Sequence, residues 1–173
     1  MVRLIIGPQQ FIKTMNDIKA IRLTDGGFTI VDNADFESLN SKRWGRNPSG
    51  HVRRYRKVGG VNHIIYMHRE IMNAPDGVEV DHANGYPHDN TRRNLRFGNT
   101  SQNQGNAKLQ ERDKTAPFKG VTYHKRDKKW QASITHKMRL IWLGYFDTPE
   151  AAALAYNAAA QKQWGEFARL NPV

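Results

Sequence analysis

The feature that most constrains the fold is a series of three short runs of aromatic and β-branched residues, followed by an alanine-rich run. The runs cover residues 118–121, 130–134 and 142–146, and Lys/Arg-rich turns separate them. Such runs between polar turns are typical of strands. Thr148 suits a helix N-cap and Pro149 the first helical position. The sequence therefore predicts a three-stranded antiparallel sheet packed on one helix that extends to about Gln163, with Ala152, Ala155 and Ala159 facing the sheet.

This pattern, together with Gly165 and the closing residues 168–171, resembles the Apetala-type DNA-binding domain of plant ethylene-response factors. The resemblance implies a sheet that lies in the major groove of double-stranded DNA, with Lys119 and Trp142 as DNA contacts. Thr122 stands where plant members carry base-reading arginines, so the plant target sequence does not carry over. Further basic residues would contact phosphates if the domain docks in this way, namely Lys125, Arg126, Lys128 and Lys129.

A second pattern lies in the middle of the chain, where Asp81 and His82 are followed by Asn94 and Asn103. Carboxylate and amide oxygens can ligate Mg²⁺, and a neutral imidazole can accept a proton from water near pH 7. Asp81 and His82 point to opposite faces of a strand, so the turn at residues 84–85 must bring them to one site. A short helix over residues 101–110 follows, with Thr100 as its predicted N-cap.

The residues 80–85, 89–90, 94–96 and 100–103 resemble the HNH nucleases of phages and homing endonucleases in order and spacing. The resemblance implies a ββα-metal unit with Asp81 and Asn103 as metal ligands, His82 as general base and Asn94 as the residue that fixes the His82 tautomer. It implies Mg²⁺ as the cofactor, with Mn²⁺ as an alternative. Each of these residues alone is more often structural, as a satisfied histidine or a cap residue. Their joint spacing favours a site. His68 is interpreted as a core residue or as a support behind the site, in preference to a catalytic residue.

Net charge separates the middle of the chain from its flanks. Residues 1–60 hold 11 Lys/Arg and 5 Asp/Glu, residues 61–111 hold 5 and 6, and residues 112–173 hold 11 and 5, which gives the net charge of +11. Basic flanks of this kind favour a polyanionic partner. In the first flank, a hairpin is predicted around Asp25 and a short helical turn over residues 35–39. For the basic cluster of Arg53, Arg54 and Arg56, DNA contact is preferred over a solvated loop.

These observations predict an α+β protein in three parts. Residues 1–60 form a β-rich basic segment, residues 61–111 an HNH ββα-metal nuclease core, and residues 112–173 an Apetala-type DNA-binding domain, with residues 104–116 as the linker. The predicted function is hydrolysis of a DNA phosphodiester, as nicking or site-specific homing-type cleavage. The first alternative is a DNA-binding regulator that keeps the nuclease scaffold without turnover. An RNA-processing role ranks third, because A-form RNA hides its major groove from a sheet.

The predicted partner is double-stranded DNA, and protein partners stay unknown. The chain has no apolar run of 18 residues and no signal-peptide pattern, so we expect no membrane association. Cysteine is absent from the sequence, which excludes disulfides and cysteine-ligated zinc. The expected location is intracellular and cytoplasmic, with a phage gene in a bacterial host as one source.

Overall fold

The computed structural model describes residues 17–107 and 117–173, which belong to two compact units. The first unit contains residues 17–73 and 87–94, and the second contains residues 74–86, 95–107 and 117–173. Both combine antiparallel strands with helices, so the chain has a mixed α/β fold. The predicted domain boundaries at residues 60 and 111 differ from the boundaries of these two units, and the predicted three-part division stays a prediction.

The first unit begins with the predicted hairpin. Its strands are β1 (Ile18–Arg22) and β2 (Phe28–Asp32), and helix α1 (Asn33–Asn40) follows directly. In the turn, the Asp25 carboxylate accepts a hydrogen bond of 3.1 Å from the amide of Gly27. Such side-chain bonds two residues ahead are a general reason why Asp favours turns. The hairpin and the helical turn that the sequence predicts are both present.

A three-stranded sheet completes the first unit. It contains β3 (Gly45–Arg46), β4 (Val52–Val58) and β5 (Val61–Tyr66) in that order, and helix α2 (Met67–Ile71) follows β5. Trp44 is fully buried, and its indole N–H donates 2.8 Å to the carbonyl of Leu39 in α1. The half of the β4–β5 hairpin near its turn is exposed on both faces. That hairpin carries the predicted arginine cluster.

The second unit opens with two paired strands and a helix. Strands β6 (Glu79–His82) and β7 (Leu95–Gly98) are antiparallel, and α3 (Thr100–Asn106) follows. The predicted N-cap, Thr100, is wrong by one residue. Asn99 is the N-cap because its side chain accepts from the Gln102 amide while the Gln102 side chain accepts from the Asn99 amide. Residues 104–106 of the predicted linker belong to α3, and its residues 108–116 lie outside the described part of the chain.

The rest of the second unit is the predicted sheet and helix. The strands β8 (Val121–His124), β9 (Lys129–His136) and β10 (Arg139–Phe146) are antiparallel in the order β10-β9-β8, and α4 (Pro149–Trp164) packs on them. A 3-10 turn over Gly165–Phe167 follows. The Thr148 hydroxyl caps α4 by accepting 3.1 Å from the Ala151 amide. The first strand begins three residues later than predicted, because the chain makes a turn at Gly120, whose φ is +74°.

The core between sheet and helix combines small helix residues with larger strand residues. Ala152, Ala153 and Ala160 are fully buried and pack with strand residues that include Ala132 and Ile134. Ala155 and Ala159, which were predicted on the same side as Ala152, are only partly buried. The buried side of α4 is therefore rotated from the predicted one. In the part of the chain that the structure describes, no helix has the length and apolar content needed to cross a membrane.

Candidate nucleic-acid interface

One face of the C-terminal sheet packs on α4, and the register defines which side chains lie on the other. Val121, Ala132 and Ile134 point into the core with α4. Side chains alternate along each strand and directly paired residues share a face. Thr122 pairs with Gln131, Gln131 with Tyr145, Ser133 with Trp142, and His124 with Lys129. We call this side the outer face, and its defining residues are Thr122, His124, Lys129, Gln131, Ser133, Trp142 and Tyr145.

Aromatic rings form a continuous surface on the outer face. The ring centroids of His124 and Tyr145 are 5.4 Å apart, and those of Tyr145 and Trp142 are 5.6 Å apart in an edge-to-face arrangement. Trp142 is 59% exposed and Tyr145 is 42% exposed. Because both rings are held against neighbours on a sheet and yet lie open to solvent, they are placed to contact a partner with little loss of conformational entropy.

Basic turns lie at both ends of the sheet. The β8–β9 turn contributes Lys125, Arg126 and Lys128, all of them exposed. At the other end, Lys137 and Met138 have φ values of +46° and +63°, which makes the β9–β10 connection a type I′ turn. Lys137 and Arg139 are exposed there. Residues 117–147 hold seven Lys/Arg and two Asp/Glu, so the sheet carries a positive field that suits a polyanion.

Lys119 occupies a different place from the other predicted DNA contacts. Its ammonium donates to the carbonyls of Gly105 and Ala107 at the end of α3, at 2.8 and 2.7 Å. Burial, together with the charge of Arg169, lowers the pKa of Lys119 to about 8. The ammonium is therefore still protonated at neutral pH and satisfies the last carbonyls of a helix, which need such partners. DNA contact by Lys119 stays a prediction.

The sheet is tied to β7 and α3 through the end of α4. The Trp164 ring lies so close to Gly105 that a Cβ atom there would be 2.6 Å from the ring. The Arg96 guanidinium lies 3.9 Å from the centroid of the Phe167 ring and donates to the carbonyl of Glu166. A larger residue at position 105 would force these groups apart. This packing gives the C-terminal sheet a fixed support.

The two residues predicted to hold a metal ion are each hydrogen-bonded within the second unit, Asp81 to Arg96 and Asn106, and Asn103 to Glu79. We call these five residues the Asp81 cluster. Arg96 donates two hydrogen bonds to Asp81 Oδ2, at 3.0 and 2.8 Å. Asn106 donates to both Asp81 oxygens and to the carbonyl of His82. The Asn103 amide donates to Glu79. Asp81 and Arg96 directly face each other in the β6–β7 register, which explains their pairing.

This arrangement does not suit the predicted Mg²⁺ or Mn²⁺ site. The Asp81 carboxylate is already neutralised by the Arg96 guanidinium. The Asn103 amide oxygen is buried and accepts no hydrogen bond from the described residues, but one neutral oxygen is a weak ligand for a hard cation. Across residues 17–107 and 117–173, no group of three or more His, Asp or Glu side chains is placed to hold a metal ion. The predicted metal cofactor is therefore wrong.

His82 and Asn94, the predicted base and its partner, are both buried. His82 ends β6 in the second unit, whereas Asn94 belongs to the first unit. The Asn94 amide donates 2.7 Å to the carbonyl of Asp89, which helps to fix the loop before β7. The roles predicted for His82 and Asn94 stay predictions.

Of the predicted arginine cluster, Arg54 has an internal partner. It donates 2.9 Å to Glu70, which also pairs with Lys42. Burial alone would raise the pKa of Glu70, but the hydrogen bonds from Lys42 and Arg54 bring it below the ordinary value of 4.5. Arg56 is exposed, and Arg53 lies 5.2 Å from the Tyr55 ring centroid. Contact of these arginines with DNA stays a prediction.

Sequence reasoning missed most of the outer face. Only Trp142 and Lys129 among its seven defining residues were predicted as DNA contacts, and Asn106 of the Asp81 cluster was not considered. A signal for the outer face was available in the period of two along β9, where Ala132 and Ile134 are apolar and Gln131 and Ser133 are polar. The Asn106 contact had no comparable signal, because it depends on how α3 turns back over β6.

Comparison with known proteins identifies the C-terminal region. The model of the AP2 domain matches residues 117–166. The chain is 40% identical to AP2-like ethylene-responsive transcription factor TOE2 of Arabidopsis thaliana over 60 residues. This match covers 35% of this chain and 12% of that protein. It is 45% identical over 56 residues to ethylene-responsive transcription factor ERF024 of the same plant, and this match covers 31% of this chain and 30% of that protein. No solved structure matches the chain.

A third relative is dehydration-responsive element-binding protein 2D of Arabidopsis thaliana, at 51% identity over 45 residues, or 25% of this chain and 22% of that protein. The chain thus spans much less than half the length of these relatives. The Apetala resemblance is confirmed over residues 117–166 as an AP2 domain, and residues 168–171 lie beyond the match. The matched range contains the whole outer face and both basic turns, and it excludes the residues of the HNH-like pattern.

The comparisons contradict the predicted endonuclease. The relatives are named as transcription factors and as an element-binding protein, and such proteins are not enzymes. The predictions of an HNH endonuclease, of phosphodiester hydrolysis and of a metal-dependent enzyme are therefore wrong. The relatives come from plants, so the predicted phage and homing-endonuclease assignment has no support.

Proposed function

We propose that this protein is a non-catalytic DNA-binding regulator that binds double-stranded DNA through the outer face of its AP2 domain. The observation that carries the proposal is the match of residues 117–166 to the AP2 domain, on a sheet whose free face is aromatic and polar. Basic turns at both ends of that sheet supply the charge that phosphate contacts need. Such a role requires a place inside a cell with access to DNA.

The dimensions of the sheet support docking in the major groove. Neighbouring strands lie about 4.8 Å apart, so three strands span about 10 Å between their outer backbones. The major groove is about 12 Å wide and accepts β-strands, whereas the minor groove is about 6 Å wide. With the outer face in the groove, the exposed residues Lys125, Arg126, Lys137 and Arg139 would lie at the strand ends, towards the phosphates.

In this proposal β6, β7 and α3 keep the strand–strand–helix order of a nuclease-like scaffold and support the sheet. The support comes from Arg96 against Phe167 and from Trp164 against Gly105. Arg53 and Arg56 on the β4–β5 hairpin would contact phosphates that the AP2 domain does not reach. Arg54 is a weaker candidate because its guanidinium is engaged by Glu70.

Selection from a random duplex library with the full chain, followed by fluorescence anisotropy, tests the proposal. We expect an enriched sequence that binds at least about 10³-fold more tightly than a scrambled duplex at equal salt. Equal binding of all duplexes, or tighter binding of an RNA duplex of the same sequence, would overturn it. Supercoiled plasmid incubated with the protein and Mg²⁺ should stay supercoiled, and conversion to nicked circles would contradict a non-catalytic role.

A further inference from the structure

The chemistry of the outer face indicates which base pairs it can read. Its two central cross-strand rows are Thr122–Gln131–Tyr145 and Ser133–Trp142, and they contain no Lys or Arg. Guanine is read most often by Arg or Lys, which donate to its O6 and N7 atoms. These two rows therefore present amide, hydroxyl and aromatic groups at the positions that would enter the groove, in place of the cations that favour guanine.

The basic residues nearest to these rows already have internal partners. Lys129 lies on the outer face beside these rows, at the start of β9, and pairs with Asp147. Lys119 is bound to the carbonyls at the end of α3. The exposed cations lie in the turns, which places them beside the backbone of a groove-bound duplex and not over its bases. Charge on this sheet thus serves affinity, and the central rows serve recognition.

We infer that the outer face reads A·T base pairs in the major groove, with Gln131 on adenine and Trp142 on the methyl group of thymine. The inference rests on the proposed function. A glutamine amide can donate to adenine N7 and accept from its N6 amino group at the same time. Trp142 is 59% exposed and held at its edge by Tyr145, so it offers an apolar surface to the methyl group that distinguishes thymine.

Library selection with the full chain tests the inference through the composition of the enriched core. We expect A·T pairs at the central positions, and each A·T to G·C exchange should weaken binding by about 5- to 150-fold. Two modified duplexes separate the contacts. Uracil in place of thymine removes the methyl group, and 7-deazaadenine removes the N7 acceptor, while both leave the minor groove unchanged.

Matched variants connect each contact to its residue. Trp142→Ala should abolish the effect of uracil and keep the effect of 7-deazaadenine. Gln131→Ala should do the reverse, and Gln131→Glu should move the preference at one position from adenine to cytosine, because a carboxylate accepts from the cytosine amino group. Circular dichroism should show an unchanged fold for each variant.

The outcomes separate this inference from the proposed function. A G·C-rich core, or binding that is insensitive to uracil and 7-deazaadenine, overturns the inference and leaves DNA binding by the AP2 domain intact. Equal, weak binding of all duplexes overturns both. An A·T core whose uracil effect persists in Trp142→Ala shows that another residue meets the methyl group, which also contradicts the assignment made here.

Discussion

The second unit contains two polar regions that differ in what their side chains contact. In the Asp81 cluster, the carboxylate, amide and guanidinium groups bind one another, and the Asp81 and Arg96 side chains are only 12% and 20% exposed. On the outer face, Trp142 and Tyr145 are far more exposed and the polar residues between them face solvent. A group of functional-looking residues can therefore be fully used by the fold, whereas a less conspicuous sheet face is left available for a partner.

The two regions also differ in how their side chains contribute to stability. Charges removed from water need partners of good geometry, and a carboxylate left without them is destabilising. Asp81 has such partners in Arg96 and Asn106, so we expect substitutions there to change stability. Outer-face side chains lose little on folding and keep their hydration until a partner replaces it. Substitutions there should change binding.

The largest effect is expected for Asp81→Ala. Loss of this carboxylate leaves the Arg96 guanidinium and the Asn106 amide without their acceptor, and we expect the free energy of unfolding to fall by about 2–3 kcal/mol. Urea unfolding measures this free energy. The same measurement on Arg96→Ala and on the double variant gives the coupling energy between Asp81 and Arg96. DNA affinity of the folded variant should be unchanged. A stable variant with lost affinity would reverse the roles assigned to the two regions.

Trp142→Ala should give the opposite result. The ring is mostly exposed in the free protein, so we expect the free energy of unfolding to change by less than about 0.5 kcal/mol. Affinity for the selected duplex should fall about 10- to 30-fold, as for an aromatic residue central to an interface. Anisotropy and urea unfolding give the two values. Leu154→Ala, which changes an exposed apolar residue of α4, is the matched control and should keep full affinity.

The first unit offers a second internally paired carboxylate. Because the pKa of Glu70 lies below 4.5 in the folded protein, its pairing with Lys42 and Arg54 stabilises the fold above about pH 4.5. That contribution is lost as the pH falls through the lowered pKa. Glu70→Gln should therefore lower the free energy of unfolding by about 1–2 kcal/mol at pH 7 and have little effect near pH 2. An equal loss of unfolding free energy at both pH values would show that charge pairing is not the cause.

The smallest effect is expected for the basic turn. Each phosphate contact contributes about −0.9 to the slope of log affinity against log salt, so Lys125→Ala combined with Arg126→Ala should reduce the slope by about two. Sequence preference should be unchanged. Lys119→Met is the control, because its ammonium binds α3 carbonyls, and its slope should equal that of the native protein. A smaller slope for Lys119→Met would show that Lys119 leaves those carbonyls to contact DNA.

The parts of the fold that depend on local chemistry could be predicted from the sequence. The strands β8 to β10 and the Thr148 cap of α4 follow from alternation and cap preferences, which act over a few residues. The cap of α3 was misplaced because Asn99 and Thr100 both suit an N-cap, and the reciprocal bonds with Gln102 favour Asn99. Neighbouring positions of similar propensity need the three-dimensional contacts to be told apart.

The role of Asp81 could not be predicted for a different reason. Its spacing from Asn103 shows which residues are able to meet, but not which partner binds first. Arg96 lies opposite Asp81 because of the β6–β7 register, and Asn106 reaches Asp81 from the last turn of α3. Long-range pairing of this kind turned a predicted metal ligand into one side of an ion pair.

DNA binding by the outer face is tested most directly by an amide ¹H–¹⁵N correlation titration of the full chain with its selected duplex. We expect the largest chemical-shift changes on Thr122, Gln131, Ser133, Trp142 and Tyr145, with smaller changes in the turns at Lys125 and Lys137. The amides of Asp81, His82 and Asn103 should shift little. Shift changes concentrated on those three residues, with an unaffected outer face, would contradict DNA binding by the outer face.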